Sequence, residues 1–249
     1  MPLDFSTLTL QIDRQISMLK MEYSQAPGSI LTEDDLKCLL HHKLSRLRAL
    51  RGPVSTINPH ILGSYVHSEL SWYDENGRLR IRPDITIIEP EHMSILHGYE
   101  PPILDLFGSA CNPFPGALLP SKQYEFGGKA ITLELKFARS GITQSMLRLI
   151  KEDFKKMLRL FDKLDRDGEG ESVFSYLIIF NKLPQKLHET PLANFVREHG
   201  SGPRHRILYK SRCACPDPKI SARYCYRRND LILTSPPYGR PYENSSTLE

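Results

Sequence analysis

The 249-residue sequence has no apolar run near the roughly 18 residues that a membrane-spanning helix requires; Tyr176 to Phe180 is far shorter. Its opening carries Asp4 and no apolar stretch of the kind that marks a secretory signal. The five cysteines, Cys38, Cys111, Cys213, Cys215 and Cys225, are odd in number and irregularly spaced. That pattern predicts reduced thiols in the cytoplasm, or in the nucleus if the cell is eukaryotic. No GxxxxGK[ST] loop, GxGxxG fingerprint or GxSxG elbow is present, so nucleoside triphosphate binding, dinucleotide chemistry and serine hydrolysis lack support. There is no internal repeat and no low-complexity tract. Charged residues at 25% and aromatics at 9% exclude global disorder, and the length suffices for a core without staples.

The net charge of +4 is mild, but its distribution is not. From Lys136 to Lys163 eight basic residues face only Glu152, Asp153 and Asp162. From Ser201 to Asp230 eight more face only Asp217 and Asp230. Each local excess is larger than the whole chain's, so the surface is electrically lopsided, which suits a polyanionic partner.

Periodicity then sets out the elements. Residues 1–30 read as an amphipathic segment broken at Pro27-Gly28. Thr32 is a natural N-cap, followed by three acids where a helix dipole favours them, and Leu36, Leu39, Leu40, Leu44 and Leu47 recur at helical spacing to Arg51. Tyr65 to Tyr73 and Arg78 to Ile88 alternate around Asn76-Gly77, a strong hairpin signal. Residues 89–130 are rich in Pro and Gly and read as a long insertion. Ile131 to Phe137 is a strand. A long helix follows Ser140-Gly141, with the stripe Leu147, Ile150, Phe154, Met157, Leu158, Phe161 and Leu164. Val173 to Phe180 reads as a strand buried on both faces, Pro191 to His199 as a short helix and Arg204 to Tyr209 as a last strand. The expected architecture is α/β, a mixed sheet flanked by helices. It divides into an N-terminal helical segment (1–58), a core (59–210) and a C-terminal extension (211–249).

The chemistry gathers on three strands. A two-residue turn at Asn76-Gly77 sets Glu69 across from Asp84 and His67 across from Thr86. Two facing carboxylates repel, and a cation is the natural compensation. In Ile131 to Phe137, Glu134 and Lys136 share one face while their neighbours are apolar, an arrangement that is costly to bury without a task. If this strand lies beside Arg78–Ile88, Glu69, Asp84, Glu134 and Lys136 converge. Hard oxygen donors of this kind suit magnesium.

Pro83-Asp84 followed by Glu134-Leu135-Lys136 resembles the PD-(D/E)xK nuclease superfamily, which includes restriction endonucleases, junction resolvases and repair nucleases. The resemblance implies a restriction-endonuclease-like αβββαβ core and hydrolysis of DNA phosphodiester bonds with Mg2+ or Mn2+. It implies Asp84, Glu134 and the Leu135 carbonyl as metal ligands and Lys136 as the catalytic lysine; Glu69 fits by geometry as an added acid, and Glu33 is a weaker candidate. The 49 residues between the two motif halves exceed the superfamily's usual spacing.

Arg148, Lys151, Lys155 and Arg159 form a basic stripe on the long helix that can track DNA phosphates. Cutting both strands of a duplex calls for two copies, so a homodimer is expected. The competing reading is a non-catalytic module on the same fold, binding nucleic acid or a protein, and RNA is the alternative substrate. Ser235-Pro236-Pro237-Tyr238 resembles the catalytic loop of amino-methylating DNA methyltransferases, but the cofactor loop such enzymes need is missing. Cys213, Cys215, Cys225 and His205 match no standard zinc spacing.

Overall fold

Asp4 starts the first helix, α1 (Phe5–Gln25), by accepting hydrogen bonds from the Ser6 amide (3.0 Å) and the Ser6 and Thr7 hydroxyls, which hold its carboxyl down to about 2. In this computed structural model, residues 4–73, 80–95, 103–104, 110–111, 124–126, 128–166 and 173–212 are described. All of them belong to one unit, Met1–Arg212. The C-terminal extension from 213 on, the Asn76-Gly77 turn, the side chain of Leu164 and most of 89–130 lie outside the described residues.

The second helix, α2 (Glu33–Ser45), begins with a reciprocal cap. Thr32 Oγ1 accepts the Asp35 N–H at 3.0 Å, and the Asp35 carboxylate accepts the N–H groups of Leu31 and Thr32, both at 2.9 Å. The helix stops at Ser45 rather than Arg51, and a 3₁₀ turn at Arg48–Leu50 buries Leu50 in its place.

A six-stranded mixed sheet follows: β1 (Val66–Ser68), β2 (Ile85–Ile88), β3 (Ala130–Ala138), β4 (Val173–Asn181), β5 (Ser201–Gly202) and β6 (His205–Ser211). The spatial order is β5-β6-β4-β3-β2-β1. β1, β2 and β3 pair antiparallel as a meander. Helix α3 (Gln144–Arg166) then carries the chain across so that β4 lies parallel to β3, and α4 (Ala193–His199) does the same between β4 and β6.

Alternation along the strands makes two cores. Ile85, Ile87, Ile131, Leu133, Leu135, Ile178 and Phe180 face α1 and α2, meeting Ile12, Ile16, Leu36 and Leu40. On the other face Ala130, Ala138, Leu177 and Ile179 meet Leu147, Ile150, Phe154, Met157 and Phe161 of α3. The N-terminal helices thus share the sheet's core. Leu158, expected in the α3 stripe, is 38% exposed, while Leu160 is buried, because the stripe slants around the helix from Met157 toward Leu160 and Phe161.

The hairpin register matches the turn-based expectation. Val66 faces Ile87, His67 faces Thr86 and Ser68 faces Ile85. A separate ladder, Trp72 with Ile81 and Tyr73 with Arg80, continues the same register. Between the two ladders the ribbon bends. Pro83 brings no N–H there, and Glu69 adopts φ of 54°, a left-handed conformation uncommon outside glycine.

Candidate active site

β3 outruns β2. Its ladder to β2 ends at Leu133 opposite Ile85, yet the strand continues to Ala138. The next amides on that margin need other acceptors, and two carboxylates supply them. Asp84, one step beyond the end of β2, accepts the Leu135 N–H at 2.7 Å, and Glu33, in the first turn of α2, accepts the Phe137 N–H at 3.1 Å. In a strand the N–H and C=O of one residue leave the same margin, so the Leu135 carbonyl also lies on the Asp84 side. Continuing the register sets Asp84 beside Glu134, on the face that carries Thr86 and Thr132.

Lys136 stands among three acids. Its Nζ lies 3.0 Å from Glu134 Oε1, 3.2 Å from Asp153 Oδ2 and 3.6 Å from Glu33 Oε1. Asp153 comes from α3, where it also binds Lys156 at 2.6 Å. Burial opposes the Lys136 charge, but Glu134, Asp153 and Glu33 outweigh it and lift its pKa above the ordinary lysine value. Burial above all, reinforced by Asp84 and Asp153 and opposed by Lys136, raises Glu134 to about 7. Asp84 is raised for the same first reason, with the Leu135 N–H and Lys136 opposing and Glu33 reinforcing.

Glu69, expected to complete the acidic set, is turned elsewhere by its left-handed backbone. Its N–H still donates to the Asp84 carbonyl at 3.1 Å, as the register requires. Its carboxylate pairs with Lys37 of α2 at 2.7 Å and with Arg82 at 3.8 Å, and Lys37 holds its pKa down. Lys37 also lowers the Asp84 pKa, so Glu69 touches the site through that lysine.

The basic stripe is present: Arg148, Lys151, Lys155 and Arg159 are all exposed along α3. Arg148 lies 3.8 Å from Glu152, and Lys151 lies over the Phe195 ring.

No family model, curated protein or solved structure matches this chain.

Among the described residues, no three His, Cys, Asp or Glu side chains are set to hold a metal ion together. Magnesium is commonly held by only one or two carboxylates, the rest of its shell coming from water and substrate phosphates. Two crowded carboxylates with raised pKa values and a carbonyl on the same margin fit that need. Also among the described residues, no helix is long and apolar enough to cross a membrane.

Asp153, Lys156 and Lys37 did not stand out in the sequence. Asp153 had one legible signal: it falls three residues after Ile150 and four before Met157, on the border of the apolar stripe, where an acid is out of place. Lys37 had none, since a lysine on an amphipathic helix is ordinary.

Proposed function

We propose that this protein is a divalent-metal-dependent nuclease hydrolysing DNA phosphodiester bonds, an endonuclease with a restriction-endonuclease-like core. The observation that carries the reading is the convergence of Asp84, Glu134 and Lys136 on one face where β2 gives way. The element order, helix, three-strand meander, crossover helix and parallel strand, is the order the resemblance implies, and it supports the same reading.

Asp84, Glu134 and the Leu135 carbonyl would hold magnesium or manganese. When bound, the ion supplies Lewis acidity toward a phosphate oxygen and a water of lowered pKa. Lys136 keeps its proton on Nζ because Asp153 and Glu33 hold it there, and so offers a fixed positive charge to the phosphate as negative charge develops. Arg148, Lys151, Lys155 and Arg159 bind the flanking backbone. Two copies acting together would cut both strands of a duplex.

Plasmid digestion with magnesium tests this. Wild type cuts; Asp84→Asn and Glu134→Gln lose activity on the order of a hundredfold or more while still binding DNA. Undiminished cutting by either variant overturns the assignment. A second reading, a non-catalytic nucleic-acid-binding module, is favoured by the ion pair that Glu134 already makes with Lys136. It predicts salt-sensitive DNA binding with no metal-dependent cleavage by wild type, and a matched RNA digest decides the nucleic acid.

A further inference from the structure

A cavity of about 330 Å³ opens beside Glu134, between α3 and the strand carrying Ile81. It is at the small end of the ~300–1,000 Å³ range of small-molecule sites, too small for a duplex and matched to a ligand of one nucleotide's size. Its walls are apolar where a base would lie: Ile81 and Pro83 on one side, Met157 and Leu160 on the other. Arg82 and Lys156 also line it, with side chains 56% and 49% exposed, and bring cations that can reach a phosphate.

The sheet floor is polar. Thr132 lines the cavity, its hydroxyl 2.7 Å from that of Ser175. Directly opposite Thr132 in the β2–β3 ladder is Thr86, fully buried, whose hydroxyl has no hydrogen-bond partner among the described residues. Trp72 faces Ile81 in the neighbouring ladder and has a buried indole N–H that is likewise unpartnered. Unpaired polar groups of this kind are rare in folded proteins, and each of these two is the cross-strand neighbour of a residue that lines the cavity, Thr132 and Ile81.

We infer that this cavity is a subsite for a single unpaired nucleotide, seating the base between Pro83 and Met157 with its phosphate at Arg82 and Lys156. The inference rests on the nuclease reading for the identity of the ligand, and it names the substrate class of that site. Filling the cavity requires a nucleotide out of the stack, and extruding one from an intact duplex costs free energy that a single strand, a flap or a mismatch has already met. The enzyme would therefore select DNA with an unpaired nucleotide next to the bond it cuts.

Calorimetric titration of the full chain with deoxynucleoside 5′-monophosphates, in EDTA, separates this subsite from metal chemistry. Wild type binds in the micromolar to millimolar range, and Arg82→Ala weakens binding about tenfold through loss of a charge-assisted phosphate contact. Met157→Trp fills the space and abolishes binding; Arg82, being exposed, provides the test if that variant misfolds. Absence of wild-type binding, equal binding of inorganic phosphate, or an unchanged affinity in a folded Arg82→Ala overturns the subsite. Cleavage of gapped against intact duplex with magnesium is read in parallel. Cutting without mononucleotide binding leaves the nuclease and removes the subsite, whereas binding without cutting does the reverse.

Discussion

At the scale of single residues, the proposed function gives Asp84 and Glu134 a catalytic task beside a structural one, and substitutions can pull the two apart. Asp84→Ala removes the acceptor for the Leu135 N–H and is expected to cost about 1–3 kcal/mol of stability as well as activity. Asp84→Asn keeps an acceptor oxygen and should lose only the activity; urea melts beside the plasmid assay read the two effects separately. Glu134 makes stability depend on pH. Its folded pKa, about 7, lies above the ordinary glutamate value of 4.5, so the neutral form is favoured by folding. That contribution is complete below about 4.5 and is lost as pH rises through 7. Without metal, denaturant midpoints measured between pH 5 and 8 should fall by the equivalent of about 1–3 kcal/mol, and Glu134→Gln should flatten the slope. A midpoint that rises over that window would contradict the assignment.

Elements carry the next tier of consequences. Replacing Arg148, Lys151, Lys155 and Arg159 with Ala should weaken DNA binding at every sequence alike. The log–log salt slope should fall by about 0.9 per phosphate contact removed, and titrations from 50 to 200 mM salt check it. Thr32→Ala breaks the α2 cap and should cost about 0.5–2 kcal/mol. It should also lower cleavage, because Glu33 in that first turn contacts both Phe137 N–H and Lys136. The hairpin was legible in the sequence because Asn76-Gly77 and a strict alternation leave one register, and the pairs Val66–Ile87 and Trp72–Ile81 obey it. Pro83, which brings no N–H, was the one sequence mark of the bend between its ladders. A glutamate at φ 54° has no sequence mark, and that one torsion sends Glu69 to Lys37. Asp84, Glu134 and Lys136 were readable because they interrupt apolar strands. Their partners on α2 and α3 depend on tertiary approach, which spacing along one element does not encode.

For the whole molecule, the sheet is held between two helical layers, and neither layer is optional. Ile12 and Ile16 of α1 are fully buried against the face that also contains Ile85 and Leu133. Ile16→Ala should therefore cost about 2–5 kcal/mol, the scale of a core cavity, and thermal melts check it. A loss below 1 kcal/mol would mean that the first helix docks only loosely. The overhang of β3 has one more outcome. Where two carboxylates close the strand's outer margin, removing both leaves bare amides and carbonyls that resemble an amyloid template. An Asp84→Ala/Glu33→Ala double variant should then recruit extended peptide from other chains, and light scattering would register the growth of oligomers.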